Sequence, residues 1–309
     1  MSLSDEYAAV KKSGGVIDLA SRVKLSFTGN DRIRYLNGQL TAKLTGTNGV
    51  QPACVTTAKG KLCADVFVGT WPAAVIVDAE AEVSATLLPR LEKYIVADDV
   101  VIEGVTDRAA LIHCIGVDGA ELEKLIGLPP AFPVNRLGTP GADFVIPKRD
   151  DLAPIWEKLT SRFPVISAEL AELLRIEAGI PRWGFELDEN TLPAEAGLDR
   201  THVDFHKGCY IGQEVISRIK SVGHVNRSLH GFLSHNGQPL PQKARIFSAE
   251  APEKDWGNIT SSVFSIGLNQ HIALGFLRRG APESGLLAAC EGMQESAVPI
   301  LVQPLPFAR

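Results

Sequence analysis

Apolar positions in the first part of the chain recur with two spacings, every second residue or every three to four residues. Val23, Leu25 and Phe27 alternate with polar residues, as in a half-buried strand. Residues 29–31, Gly-Asn-Asp, then supply turn residues and an N-cap for the helical stretch 32–39. The pattern predicts a strand followed directly by a helix.

The same two spacings predict further elements up to about residue 180. Strands are expected over 64–68, 73–77, 110–115 and 144–146. Helices are expected over 80–96, 119–126, 152–162 and from 168 onward. Ser167 is the N-cap of the last helix, and Pro89 is expected to bend the first one or divide it in two. The Pro/Gly-rich passage 129–141 is a candidate seam between two subdomains.

After Ser228 the pattern changes to short strands separated by Gly, Pro and Asn. These strands are expected over 229–234, 244–247, 257–264, 272–277, 286–290 and 297–302. Short strands at such regular spacing are typical of a small antiparallel barrel or sandwich. The chain is therefore predicted to be α+β first and all-β last.

Composition limits the classes of protein that remain. The chain has 309 residues, of which 45% are hydrophobic, so two or three domains are expected. Lys and Arg number 31 and Asp and Glu number 36, which gives a formal charge of −5. A net negative charge disfavours nucleic acid or anionic lipid as the main partner. No apolar run reaches the ~18–20 residues of a membrane-spanning helix, so we expect a cytoplasmic protein without a membrane segment.

The five cysteines are odd in number, and none forms a C-x-x-C pair. This spacing disfavours a zinc ribbon or a disulfide framework and suits a reducing compartment. His202 and His206 stand four residues apart, as a metal pair on a helix would, but no third ligand accompanies them. No metal site is therefore predicted. Core packing is expected for Cys54, Cys63, Cys114 and Cys290.

The segment 207–214, Lys-Gly-Cys-Tyr-Ile-Gly-Gln-Glu, has the most distinctive chemistry in the chain. Cys209 precedes a predicted helix, whose unpaired amide groups place partial positive charge near the thiol. In an extended backbone Lys207 and Cys209 lie on the same side, and both effects favour thiolate. Gly208 and Gly212 allow the backbone to approach a ligand closely or to adopt positive φ. The alternative is a cysteine that is simply buried as a small hydrophobe.

This segment resembles the K-G-C-Y-x-G-Q-E signature of the YgfZ-type proteins, which are relatives of the glycine-cleavage aminomethyltransferase. Residues 175–186 resemble the family's R-x-E-x-G-x-x-x-x-G-x-E segment, and residues 192–198 resemble its P-x-E-A-G-L motif. Residues 27–31 and 36–41 look like the family's opening strand and helix, and residues 257–261 and 272–276 look like strands of its C-terminal barrel. The resemblance thus covers nearly the whole chain.

The resemblance implies an α+β, three-part cloverleaf fold around a folate site. Folate-binding α+β domains would occupy 1–227, with an inner subdomain at about 50–140, and a small C-terminal β-barrel would occupy 228–309. The implied cofactor is tetrahydrofolate or a one-carbon derivative. Glu177 would hold the pterin ring by accepting hydrogen bonds from its N–H groups, and Trp183 would offer an aromatic wall. From the residues alone, Glu177 is an exposed helix residue and Trp183 is packing.

The resemblance also assigns the remaining site residues. Asp65 lies near the family's catalytic or folate-contacting aspartate, and Lys207 would help to hold the Cys209 thiolate. Gln213 and Glu214 would cap the following helix or orient the thiol. The ligand-binding residues expected in the segment are Gly208, Tyr210 and Gln213.

The leading hypothesis is a tetrahydrofolate-binding accessory protein that supports the assembly or repair of iron–sulfur clusters through Cys209. Because a cluster usually takes four cysteine ligands, iron–sulfur proteins or cluster-assembly factors are the expected partners. The alternative is a folate-dependent aminomethyltransferase or other one-carbon transferase, with Asp65 assisting proton transfer. A third hypothesis is a scaffold that binds partners but no folate.

Overall fold

The computed structural model describes residues 2–71, 73–127, 131–290 and 292–307. The α-helices among these residues are α1 Leu3–Ser13, α2 Arg32–Gln39, α3 Ser84–Glu92, α4 Gly119–Ile126, α5 Leu152–Thr160, α6 Ala168–Glu177 and α7 Gln213–Val222. The strands are β1 Gly15–Asp18, β2 Val23–Thr28, β3 Gly49–Thr56, β4 Leu62–Thr70, β5 Val75–Ala79, β6 Val101–Gly104, β7 Ala110–Ile115, β8 Phe132–Val134, β9 Gly141–Ile146, β10 Arg227–Ser234, β11 Arg245–Ser248, β12 Gly257–Ser265, β13 Gln270–Arg278, β14 Leu286–Ala289 and β15 Val298–Gln303. No helix within the described ranges is long and apolar enough to cross a membrane.

The first sheet is antiparallel and has the strand order β3-β4-β5-β2-β6. Alternate residues of β4 from Leu62 to Val68 are fully buried, which is the period of a strand with one covered face. Helices α2 and α3 contribute Leu36, Leu87 and Leu91 to the core on this sheet. The residues of β4 between these positions lie on the opposite face of the sheet.

The second sheet is antiparallel and has the order β1-β7-β9-β8. Its central strand β7 is buried at all six positions, so its sequence is an apolar run interrupted only by His113. Helices α4 and α5 pack on this sheet through Leu122, Ile155 and Leu159. Because β7 is enclosed in this way, the polar side chain of His113 lies inside the protein.

Strands β10 to β15 form a closed antiparallel barrel in the order β10-β13-β12-β11-β14-β15. Because β10 pairs with both β13 and β15, the barrel has no open edge. Its core includes Phe232, Ile246 and Ile259. Of the two architectures that the strand spacing allowed, the pairing of β10 with β15 selects the barrel.

Helix α6 lies where the two sheets and the barrel meet. Ser167 caps its start, because its Oγ accepts a hydrogen bond from the Leu170 amide at 3.1 Å. Leu170 and Leu173 pack in a cluster with residues of α1, whereas Ile176 packs against Ile272 of the barrel. One helix therefore shares its apolar surface among different parts of the protein.

A buried network of charges connects the two sheets. Arg136, in the loop between β8 and β9, lies 2.7 Å from Asp78 of the first sheet and 2.6 Å from Asp143 of the second. Arg22 also pairs with Asp78, and His113 Nδ1 lies 2.8 Å from Asp143 Oδ1. Burial alone would raise the pKa of Asp78, but Arg136 and Arg22 outweigh it and hold that pKa below its ordinary value. Both carboxylates therefore stay ionised at neutral pH.

The observed elements correct some of the predictions and confirm others. Strand β7 and helix α4 have the bounds that the spacing predicted. The helix predicted over about 80–96 is confirmed only over Ser84–Glu92, so its predicted bounds are too wide, and Pro89 lies inside α3 without dividing it. Ile95 packs against the same core from the turn that follows, which extends the four-residue spacing beyond the helix. Of the candidate seam 129–141, the first two residues lie outside the described part of the chain, and the domain boundaries stay predictions.

We expect Asp78→Asn to lower the free energy of unfolding by about 3–5 kcal/mol, because it leaves two buried guanidinium groups without full compensation. Urea denaturation followed by circular dichroism measures the change. The control is Glu103→Gln, which removes an exposed partner of Arg108 and should cost less than about 1 kcal/mol. Equal effects of the two substitutions would show that the buried network does not stabilise the fold.

Candidate functional site

A cavity of about 840 Å³ lies where the two sheets, helix α6 and the barrel meet. Its lining residues come from segments far apart in sequence. They belong to the end of α1, strands β3 and β4, the end of β8 and the loop before β9, the end of α6, residues 194–202, the start of β10 and residues 304–306. Asp65 and Glu177, which lie 112 residues apart by number, are both in this lining. The fold thus brings together two of the residues that the resemblance selected.

Asp65 lies on β4, on the face opposite the fully buried residues Ala64 and Val66. Within the described part of the chain, no hydrogen-bond donor reaches its buried Oδ1 atom. Burial raises the pKa of Asp65 to about 6, and the positive charge of Arg22 offsets only part of that effect. Asp65 is therefore a carboxyl group that can gain or lose a proton near neutral pH, facing a cavity.

Glu177 is the last residue of α6 and is buried, so the alternative of an exposed helix residue is wrong. Its Oε1 accepts a hydrogen bond from Ser265 Oγ at 2.5 Å, and its Oε2 accepts one from Tyr7 OH at 3.2 Å. Burial, together with the charge of Glu177, raises the pKa of Tyr7 to about 12. Glu177 thus joins α1, α6 and the barrel beside the cavity. The Gly267 amide also donates to its Oε1 at 3.4 Å. A carboxylate has about four acceptor positions, so Glu177 can still accept one hydrogen bond from a ligand.

Two other members of the R-x-E…G-x-E motif build the same junction. Arg175 of α6 lies 3.1 Å from Glu186 and donates to Ser261 of the barrel at 2.6 Å. Glu186 in turn accepts hydrogen bonds from Thr260 and Ser261, each at 2.6 Å. The motif therefore attaches the barrel to α6 and sets one side of the cavity.

Three lining residues were not selected from the sequence as cavity residues. The Arg136 guanidinium lies 4.0 Å from the centre of the Phe67 ring, so a cation covers an aromatic face in the lining. His202, considered above only as a metal ligand, also lines the cavity, and burial lowers its pKa to about 4. It is therefore neutral at pH 7. Phe67 could have been selected from the sequence, because it lies two residues after Asp65 and therefore on the same strand face. No local pattern in the sequence marks Arg136.

Trp183 lies elsewhere. It packs against the core of the first sheet and against a cluster that contains Leu62 and Leu187. Among the described residues that line the cavity, Phe67 supplies an aromatic ring and Trp183 is absent. The packing alternative weighed for Trp183 matches its observed surroundings.

Lys207 and Cys209 have opposite environments although they are two residues apart. Cys209 is exposed, whereas Lys207 is buried. The Lys207 ammonium group donates to the carbonyl oxygens of Asn37, Leu40 and Ala42 at 2.7–2.9 Å. Burial lowers the pKa of Lys207 to about 8. Its three donors are thus used to attach the loop to the end of α2, not to hold the thiol.

The rest of the loop is shaped by sterics. Gly212 has φ of +89°, and a Cβ there would lie 2.6 Å from the Thr57 carbonyl oxygen, so glycine is required. Gly208 has open space around it and no such constraint. Gly212 is the N-cap of α7, and no side-chain hydrogen bond caps that helix among the described residues, so the expected capping by Gln213 or Glu214 is wrong. The Gln213 amide N–H instead donates to the Tyr210 carbonyl oxygen at 3.2 Å.

Tyr210 connects the loop to the protein interior. Its ring is buried, and its hydroxyl group has no hydrogen-bond partner within the described ranges. Burial, with a smaller effect of Cys54, raises the pKa of Tyr210 to about 12. Cys54 is paired with Asp65 across β3 and β4 and is itself influenced by that carboxyl group. Neither Cys54 nor Cys209 is in the described lining of the cavity.

No group of three or more His, Cys, Asp or Glu side chains suited to a metal ion occurs in the part of the chain that the structure describes. His202 and His206 do not form such a group. Nδ1 of His202 lies 2.7 Å from Thr201 Oγ1, and His206 is exposed. The candidate functional groups are therefore the carboxyl groups in the cavity lining and, outside that lining, the thiol of Cys209.

Comparison with known proteins gives relatives along nearly the whole chain, although no family model matches it. An aminomethyltransferase of Streptomyces avermitilis is 26% identical, with 99% of this chain and 89% of the relative aligned. The tRNA-modifying protein YgfZ of Yersinia pestis is also 26% identical, over 95% of this chain and 92% of the relative. The crystal structure of the glycine cleavage system aminomethyltransferase T from Bartonella henselae superposes with a TM-score of 0.84, at 18% identity, and covers 99% of this chain and 89% of that one.

The fold is that of the aminomethyltransferases, with a closed six-stranded barrel at the C-terminal end. The resemblance to the YgfZ-type branch of the aminomethyltransferase-like proteins is confirmed by the named relatives.

We expect Lys207→Met to lower the free energy of unfolding by about 1–3 kcal/mol, because three carbonyl oxygens lose their donor. Cys209→Ser, at an exposed position in the same loop, should change it by less than about 0.5 kcal/mol. Chemical denaturation of both variants measures the difference. A destabilised Cys209→Ser protein beside an unaffected Lys207→Met protein would contradict this division of roles.

Proposed function

We propose that the central cavity binds a reduced folate and that the protein supports the maintenance of iron–sulfur enzymes through Cys209. The observation that best supports the first part is the buried, unpartnered Asp65 Oδ1 atom in the lining of a cavity of about 840 Å³. A buried acceptor without a partner costs about 1–3 kcal/mol, which a ligand with N–H donors would recover.

The residues present fit a reduced pterin. Such a ring is flat and has several N–H donors, so it requires acceptor oxygens and an apolar wall. Asp65 and Glu177 supply carboxylate oxygens, and Phe67 supplies an aromatic ring. The cavity volume lies within the range of about 300–1,000 Å³ that is usual for small-molecule sites. Asp65 and Glu177 are the residues that we propose hold the pterin.

The proposed role of Cys209 rests on its exposure in a loop of fixed shape. Lys207 attaches the loop to α2, and Gly212 packs closely against Thr57. A thiol held in this way is accessible to a partner protein without a rearrangement of the loop. Because a single cysteine cannot supply the four ligands that a cluster usually takes, Cys209 acts on an iron–sulfur protein or a cluster-assembly factor.

The Yersinia relative is named a tRNA-modifying protein. Direct binding of RNA by this chain is disfavoured by its formal charge of −5. We therefore propose that any connection to tRNA goes through a client enzyme that modifies tRNA and contains an iron–sulfur cluster. The protein then maintains that enzyme and does not handle the RNA itself.

One-carbon transfer is the second candidate, and the proton affinity of Asp65 favours it. Burial brings the pKa of Asp65 to about 6, which is close to the optimum for a general acid or base at neutral pH. Bound tetrahydrofolate would supply the nitrogen atoms that accept a one-carbon unit. Asp65 would take or return a proton beside it.

Binding of tetrahydrofolate is expected to strengthen as the pH rises from about 5 to about 7, because Asp65 loses its proton near pH 6 and becomes a full acceptor. Asp65→Asn should weaken binding at neutral pH by about tenfold to a hundredfold and should abolish this pH dependence. Anaerobic isothermal titration calorimetry measures both effects. Asp107→Asn, at an exposed position outside the cavity lining, is the control.

An Asp65→Asn protein with unchanged affinity and pH dependence would exclude Asp65 from the folate site. Failure of the folded wild-type protein to bind tetrahydrofolate even at near-millimolar concentration would favour a scaffold that binds partners but no folate.

The iron–sulfur role predicts that wild-type protein restores the activity of a 4Fe–4S enzyme in cells that lack their own YgfZ-type protein. Cys209→Ser should lose at least about tenfold of that rescue at equal expression, because the thiol is the reacting group. Cys290→Ser, at a partly buried cysteine of the barrel, should rescue normally. Rescue by both variants would remove the special role of Cys209. If neither the wild-type protein nor either variant restored activity, one-carbon transfer would become the preferred function.

A further inference from the structure

A second concavity of about 450 Å³ lies next to the central cavity and is lined by positively charged residues. Its basic residues are Arg200, Lys220, His224, Arg227 and Arg279. Asp199 is the acidic residue found among its described lining residues. We call this concavity the basic pocket. In a chain with a formal charge of −5, such a concentration of positive charge is a local exception.

The basic residues of the basic pocket come from several separate segments of the chain. Arg200 follows the P-x-E-A-G-L motif, Lys220 lies on α7, and Arg279 follows β13. Arg227 is partly compensated, because its Nε lies 3.3 Å from Glu195. Neither Arg200 nor Arg279 forms an ion pair with a carboxylate within the described ranges. Like charges gathered from different elements repel one another, and a bound anion would offset that repulsion.

The floor of the basic pocket is apolar. Phe205, Ile216 and Ile219 are among its lining residues, and the ammonium group of Lys220 lies 5.3 Å from the centre of the Phe205 ring. Charged groups around an apolar floor suit a ligand with short methylene segments between anionic groups. A ligand of that kind is a flexible chain of carboxylates.

The basic pocket and the central cavity are continuous through shared lining. Ala194, Arg200 and Ser228 line both of them. A ligand seated in the central cavity can therefore extend into the basic pocket along the segment 194–200. The continuity also orients that ligand, because the carboxyl groups Asp65 and Glu177 line the central cavity alone.

We propose that the basic pocket binds the γ-linked polyglutamate chain of a folate whose pterin lies in the central cavity. Each added glutamate supplies one carboxylate and a short methylene segment, which match the cations and the apolar floor. This inference rests on the proposed folate function of the central cavity. The limited volume of about 450 Å³ and the negative charge of the whole chain favour this short carboxylate chain over a nucleic acid.

The test compares tetrahydrofolate monoglutamate with tetrahydrofolate pentaglutamate by anaerobic calorimetry. Wild-type protein should bind the pentaglutamate at least about tenfold more tightly at low salt, and the difference should shrink as ionic strength rises. Lys220→Gln combined with Arg279→Gln should remove most of this difference and leave monoglutamate binding unchanged, because both residues line the basic pocket alone. Lys12→Gln combined with Arg218→Gln removes the same charge at exposed positions outside both linings and should keep the difference.

The outcomes separate this inference from the folate proposal. Equal affinities of the wild-type protein for the two folates would overturn the polyglutamate site and leave folate binding in place. Absence of binding to both folates would overturn the two proposals together. A single-stranded RNA oligonucleotide that binds the wild-type protein and not the Lys220→Gln, Arg279→Gln protein, with equal folate affinities, would reassign the basic pocket to nucleic acid. Thermal melting of each variant confirms that it is folded.

Discussion

The buried pairing of Arg136 with Asp78 and Asp143 is the interaction on which the site most depends. One guanidinium group joins two sheets that have separate hydrophobic cores. The same guanidinium lies over Phe67 in the cavity lining, so the element that joins the sheets also shapes the site. Arg22 also pairs with Asp78, and its positive charge offsets part of the effect of burial on the pKa of Asp65. Burial thus raises the pKa of Asp65, and a charge of the network that joins the two sheets offsets part of that effect.

The barrel is held by a second polar junction, at the end of α6. Arg175, Glu177 and Glu186 all belong to one motif. Each of them forms a hydrogen bond with a serine hydroxyl group of barrel strand β12. The cavity lies where three parts of the protein meet, and these parts are joined there by polar side chains as well as by the apolar surface of α6. Such a junction leaves polar groups facing inward, which is what a site for a polar small molecule requires.

The cysteine segment shows that one motif can combine different physical roles. Lys207 attaches the loop, Gly212 permits a close backbone approach, and Tyr210 fills a buried position. Only Cys209 is left exposed with a reactive group. From the sequence, Lys207 and Cys209 were expected to act together because side chains two residues apart share a face in extended backbone. The structure separates them, because the end of α2 offers the lysine three carbonyl oxygens.

Local spacing determined many of the elements, because the period of buried positions and the capping residues act within a few residues of one another. Strand β7, helix α4 and the Ser167 cap of α6 follow directly from it. The spacing did not predict α1, β1, β3, β6 and β8, and three of these strands have only three or four residues. Closure of the barrel needed β10 to meet β15, about seventy residues later, which no local pattern encodes. Asp65, Glu177 and Arg136 likewise share a cavity only because long-range packing of separate parts brings them there. The resemblance of the sequence selected Asp65 and Glu177, whereas Arg136 was recognised only in the tertiary structure, because no local pattern marks it.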